Sequence, residues 1–154
     1  MHPSTTTIFT AGPDGRHDRT FCRNVLLDAL ADFNDSAHQR ALTITRERAV
    51  ASIVTTDEVL AEYLTFFAAA PAPLRQQVAT SVQGILANPA IRVIPQSRRF
   101  FLAGLELYIQ RPDKGYSLTD CISMPTMRQE GLTEALTKDR HFEQEGFQVL
   151  FREP

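Results

Sequence analysis

No strong excess of basic charge runs through this 154-residue sequence. Its formal net charge of −2 and pI near 6.1 exclude a broadly basic nucleic-acid binder, though not a local basic patch. No apolar run approaches the ~18 residues that a membrane span requires, so a membrane protein is not expected. The opening stretch MHPSTTTIFTAGPDGRHDRT lacks the apolar core of a secretory signal, and a cytoplasmic location is the expectation. The cysteines Cys22 and Cys121 have no metal-ligand spacing, and in that compartment both are expected as free thiols. Internal repeats and low-complexity tracts are absent. So is any Ser-His-Asp or Cys-His arrangement for nucleophilic catalysis, because His2, His17, His38 and His141 are scattered and read as structural or surface groups.

What is present is an alternation of strand-like and helix-like segments. The polar, glycine-rich stretch AGPDGRHDR belongs to an expected loose extension over residues 1–20, and residues 21–154 form one domain with a single core. TFC is a candidate first strand, Asn24 then caps an apolar-periodic helix through VLLDALADF, and AHQRALTITRERA reads as a second helix. SIVT is strand-like. In TTDEVLAEYLTFFAAA, Thr55 and Glu58 have capping-box spacing, and Pro71 and Pro73 end the helix. A further helix covers Leu74 to Leu86, IRVIP is a β-branched strand, and SRRFFLAGLELYIQ is the helix behind it. A helix opening at Ser117, a strand EALT, a short helix RHFEQEG and a last strand FQVLF complete the chain, with Pro125 predicting a kink in the first of these. Strands separated by helices predict an α/β fold with a central parallel sheet flanked by helices on both faces.

Three acids stand out against that frame. Asp120 follows Ser117 by three residues and Asp139 follows EALT, so each is explained locally as a helix-start carboxylate. Glu62 resists such an explanation. At about 100° per residue it sits about 60° from Val59 and about 40° from Phe66, on the border of an apolar face, where a carboxylate is costly unless a cation or donor meets it. In open α/β sheets ligands gather beyond the C-terminal strand ends, and the residues after SIVT and EALT occupy such ends. Carboxylates that converge there repel one another unless a divalent ion holds them, and oxygen ligands select Mg²⁺ or Mn²⁺.

The segments VTTDEVLAEYLTFF, YSLTDCIS and ALTKDRHFEQEGF resemble the PIN-domain nucleases, in particular the VapC-type toxins of type II toxin–antitoxin pairs. The likeness runs from about Phe21 to Arg152. It implies a single PIN-like domain and a metal-dependent endoribonuclease in which Glu62, Asp120 and Asp139 hold Mg²⁺ or Mn²⁺. It also implies an RNA substrate, a small antitoxin protein as partner, and a homodimer. Among the cations Arg98, Arg99, Arg111, Lys114, Arg128, Lys138 and Arg140, the pair flanking Asp139, Lys138 and Arg140, is the expected RNA contact.

One motif departs from the family. PIN domains end their first strand with an aspartate followed by Thr or Ser, and a histidine lies downstream. Aligning Asp35 and His38 with that pattern without gaps places Arg23 and Asn24 where the Asp-Thr pair should be. A gapped alternative makes NVLLD the first strand and Asp28 the acid. A catalytically weakened PIN domain that binds RNA or an antitoxin is therefore the alternative. A receiver-like signalling domain, which also gathers acids around Mg²⁺, would need two adjacent acids after the first strand and a lysine after a late one, and neither is cleanly present.

Overall fold

The computed structural model describes residues 19–22, 43, 52–137 and 139–150. Five strands are formed there: β1 (Arg19–Cys22), β2 (Ser52–Thr56), β3 (Ile91–Ile94), β4 (Glu134–Leu136) and β5 (Gln148–Val149). They make one sheet in the order β3-β2-β1-β4-β5, and every pairing is parallel. The chain winds outward from β1 through β2 to β3, then crosses back to place β4 on the other side. Strand order thus reverses between β1 and β4, the position at which open α/β sheets form a ligand crevice. Successive residues Ile53 and Val54 on β2 are both buried, as are Ala135 and Leu136 on β4, so the sheet is covered on both faces as the alternation predicts. Of the predicted helices over residues 24–49 only Thr43, which is helical, is among the described residues, and the expected extension as far as residue 18 lies outside them.

Among the described residues, four longer helices and one short helix are complete: α1 (Asp57–Phe66), α2 (Ala72–Ala87), α3 (Arg98–Gln110), α4 (Leu118–Gln129) and α5 (His141–Gln144). The cap of α1 is Thr56, not Thr55. Thr56 Oγ1 accepts the Val59 N–H at 3.3 Å, and the acids Asp57 and Glu58 sit in the first turn where the helix dipole favours them. Asp57 also ties neighbouring loops together, its Oδ2 accepting the Gln96 N–H at 2.9 Å. Pro73 falls in the first turn of α2, where a missing N–H costs nothing.

The predicted helix at Ser117 runs from Leu118 through Pro125 to Gln129 without interruption. Its residues from Asp120 to Met124 are all buried, making α4 the central helix of the core alongside Met127, Phe142, Val54 and Val59. Helices α3 and α4 meet at Gly104, where an added Cβ would collide with the Ile122 side chain and stand 2.9 Å from its Cα. Only glycine allows that approach. Cys121 is a buried free thiol, as expected, and burial pushes its pKa up. The side chain of Cys22 lies outside the described residues. No helix among the described residues is long and apolar enough to cross a membrane.

Candidate metal centre

Asp120 reaches the C-terminal edge of the sheet because α4 begins there. Ser117 and Asp120 form a reciprocal cap: Ser117 Oγ accepts the Asp120 N–H at 3.1 Å, and Asp120 Oδ2 accepts the Ser117 N–H at 2.9 Å. The local explanation of Asp120 as a helix-start carboxylate is correct. The carboxylate is nevertheless only 2 % exposed, far more deeply placed than a surface cap requires.

Asp139 lies just beyond β4 at the same edge. Its N–H donates to Thr137 Oγ1 at 3.0 Å, and its Oδ1 accepts the His141 N–H at 2.9 Å, which folds the chain back into α5. That turn carries His141 into the group. His141 Nδ1 stands 3.1 Å from Asp139 Oδ1 and 3.6 Å from Asp120 Oδ2. One ligand-capable atom from each of Asp120, Asp139 and His141 lies within 4.8 Å of the others. His141, expected as a structural or surface group, is thus brought beside both acids. Residue types and the separation of Asp139 from His141 gave little signal, since the meeting with Asp120 depends on the β4 crossover.

Glu62 is half-buried on α1 and is not part of that close group. It lines a cleft of about 610 Å³ together with Glu58, Arg98, Phe101, Leu118 and Thr119, and so faces the first turn of α4 next to Asp120. Arg140 is exposed beside Asp139, whereas Lys138, Arg23, Asp28, Asp35 and His38 lie outside the described residues. Two other candidate cations are committed elsewhere. Arg111 Nε donates to Glu145 Oε1 at 2.8 Å and Arg128 Nη2 to Glu145 Oε2 at 3.0 Å, around a carboxylate 7 % exposed. Burial alone would raise the Glu145 pKa, but the hydrogen bonds from Arg111 and Arg128 outweigh it and hold the carboxyl below its usual value. Tyr116 donates to Glu145 at 3.2 Å, and its phenol is pushed up to about 12 by burial and by the Glu145 charge. The Tyr116 ring also lies against His141, with centroids 5.0 Å apart, linking this knot to the acids.

The parallel sheet reverses its winding beside acids gathered at its C-terminal edge, the edge at which open α/β sheets form their ligand crevices. The family model for the PIN domain matches residues 23–147. The chain belongs to the PIN-domain family, a family of nucleases. Among solved structures, the chain is similar to Mycobacterium tuberculosis VapC20, described as a Sarcin-Ricin loop cleaving toxin. The TM-score is 0.72 at 22% identity, and the match covers 87% of this chain and 99% of that one. A comparison with curated proteins found no match.

Proposed function

We propose that this protein is a divalent-metal-dependent endoribonuclease of PIN type and the toxin half of a toxin–antitoxin pair. The observation that carries the reading is the convergence of Asp120 and Asp139, with His141, at the edge where strand order reverses. The donor set suits a cation. Among the described residues the buried His141 Nδ1 meets no hydrogen-bond partner, although carboxylate oxygens stand 3.1 and 3.6 Å away. Asp120, Asp139 and His141 would hold the ion, and Glu62 would reach it from the adjoining cleft. The acids alone would take Mg²⁺ or Mn²⁺.

When bound, a divalent ion would lower the pKa of the attacking water and offset charge developing on the phosphate. The protein's own part is orientation. The Ser117 cap fixes the Asp120 carboxylate, the turn at Asp139 fixes both Asp139 and His141, and exposed Arg140 offers a phosphate contact beside them. Arg98 lines the cleft and would meet the RNA strand leaving the site. The expected homodimer would cover the outer face of α3, where Leu102, Tyr108 and Ile109 are exposed.

Cleavage of a structured RNA, a sarcin-ricin loop oligonucleotide among the substrates, tests the proposal. Activity should need a divalent ion, stop with EDTA, and be lost in Asp120→Asn and Asp139→Asn. EDTA-resistant cleavage would sink the metal-dependent reading. Co-purification with the product of an adjacent small reading frame tests the toxin assignment.

One observation favours the weakened alternative. The strand at the centre of the sheet is Arg19–Cys22, so Arg23, and no acid, follows it directly in sequence. That supports the ungapped alignment, in which a PIN domain short of its first acid binds RNA or an antitoxin and cleaves slowly.

A further inference from the structure

We propose that the cleft lined by α1, α3 and α4 is a nucleobase subsite that takes one unpaired guanine of the RNA strand, stacked on the Arg98–Phe101 pair and read by the Glu58 carboxylate. The proposal rests on the ribonuclease reading and deepens it by naming the base that the site selects.

The cleft, about 610 Å³, is of the size that small organic ligands fill, and its lining divides by chemistry. Phe101 is half-buried on α3, and the Arg98 guanidinium lies over its ring, 5.5 Å from the centroid. A planar guanidinium held on an aromatic ring is a stacking surface for an unstacked base. Leu118 and Ile122 add apolar wall from α4. Opposite in character is Glu58, which brings a carboxylate into the same cleft from the first turn of α1. Among the described residues Glu58 and Arg98 share the cleft without forming an ion pair, and Glu58 meets no other cation. Its oxygens are left to a ligand that brings donors.

The edges of the bases decide which one fits. A carboxylate offers acceptors and no donor. Guanine alone of the four RNA bases presents two adjacent donors on its Watson–Crick edge, N1–H and the N2 amino group. Adenine and cytosine set an acceptor nitrogen beside their amino group, and uracil sets a carbonyl on each side of its N–H, so each turns a lone pair toward the carboxylate. The charge on this wall points the same way. Glu58 and Glu62 repel a phosphate, whereas a base is neutral.

The position suits a base beside the cleaved bond. Glu58 and Glu62 are one helical turn apart on α1, about 6 Å along its axis, and Thr119, the neighbour of Asp120, lines the same cleft. A guanine on Glu58 is thus within one nucleotide's reach of the candidate metal acids.

The test reads binding, so its outcome does not depend on the rate of turnover. Full-length wild type is mixed with fluorescein-labelled uridine hexamers carrying one central guanine, inosine or adenine, and anisotropy is followed in EDTA and in Mg²⁺. The guanine RNA should bind about tenfold more tightly than the adenine RNA, and inosine, which lacks the N2 amino group, should fall between them. Glu58→Ala should bring the guanine-to-adenine ratio close to one while the adenine RNA binds at least as well as before, because a repelling charge has gone. Phe101→Ala should weaken all three by about tenfold, and Phe101→Leu, which keeps the apolar packing, should weaken them as well. A ratio near one in wild type, a ratio unchanged in Glu58→Ala, or full affinity in Phe101→Leu overturns the proposal and leaves the ribonuclease reading standing. Absence of binding to any of the RNAs in either condition removes that reading and the proposal together.

Discussion

Asp120 offers Ser117 and His141 the same oxygen: Oδ2 accepts the Ser117 N–H at 2.9 Å and lies 3.6 Å from His141 Nδ1. The first turn of α4 is thus both a helix cap and the mount of a candidate ligand. A carboxylate held by its own helix start cannot swing away from its partners without breaking the cap, so helix stability and site geometry are coupled here.

That coupling separates two variants. Ser117→Ala removes the hydroxyl that accepts the Asp120 N–H and should cost about 1 kcal/mol of stability, with a modest loss of metal affinity. Asp120→Asn keeps an oxygen able to accept from Ser117 but loses the charge. It should destabilise the metal-free protein less and weaken metal binding far more. Urea denaturation and metal titration of both variants check this, and parallel changes in the two measurements would refute the division of roles.

Glu145 gathers Arg111, Arg128 and Tyr116 from three parts of the chain, and its folded-state pKa lies below the ordinary 4.5. A depressed carboxyl pKa adds stability that is present above the unfolded value and is lost as pH falls through the folded one. Wild-type stability should therefore decline below pH 4.5. Glu145→Gln should be less stable near neutrality, by about 1–3 kcal/mol, and flatter in acid. Denaturation curves from neutral pH downward provide the check, and an equally steep acid decline in the variant would count against Glu145 as a source of it.

Tyr116 should be recognisable spectroscopically. Of three tyrosines, this one has a phenol pushed up to about 12, by burial first and by Glu145 next. Because the protonated form is favoured in the folded protein, its contribution is intact below the ordinary value of 10.0 and is lost as pH rises toward 12. Alkaline titration followed by phenolate absorbance should show a late step that is missing from Tyr116→Phe. A late step that survives in the variant would assign it to another group.

Gly104 offers a probe of the α3–α4 contact. In Gly104→Ala the new methyl meets the Ile122 side chain and backbone, the latter at 2.9 Å from Cα, and backbone yields poorly. The helices must separate, at a cost of about 1–3 kcal/mol. Since α4 begins with the Asp120 cap, metal affinity should fall with stability. A variant as stable as wild type would show that the contact is looser than this spacing implies.

The parts of the fold with local causes were legible in the sequence. Ser97 and Ser117 cap their helices through their own hydroxyls, and β-branched runs mark β2 and β3. The cap of α1 was misplaced by one residue because Thr55 has an acid three positions on and Thr56 has Val59. Hydroxyl and backbone geometry at the strand end, not the acid, decide which threonine caps. His141 was missed for a different reason. Its bond to Asp139 is local, but Asp120 arrives from α4, and no spacing along the chain records that meeting. Arg111 and Arg128 stood among the cations weighed for RNA contact for the same reason, since their common partner Glu145 is distant in sequence.

The first-acid position decides between an active nuclease and a remnant. With the central strand at Arg19–Cys22, the ungapped alignment puts Arg23 where the family has an aspartate, so the site would lose a ligand and gain a cation competing with metal for Asp120, Asp139 or Glu62. On that alignment wild-type cleavage is slow, Arg23→Asp strengthens metal binding and raises ribonuclease activity, and Asp28→Asn changes little. The gapped alignment demands the reverse: Asp28→Asn abolishes cleavage and Arg23→Asp is nearly silent. Rates of structured-RNA cleavage for the wild type and both variants, with and without EDTA, separate the two. Metal titration provides a second reading, because a charge reversal at a true ligand position changes affinity whether or not turnover recovers. Robust EDTA-sensitive activity in the wild type that vanishes in Asp28→Asn would assign the first acid to Asp28 and leave Arg23 outside the site.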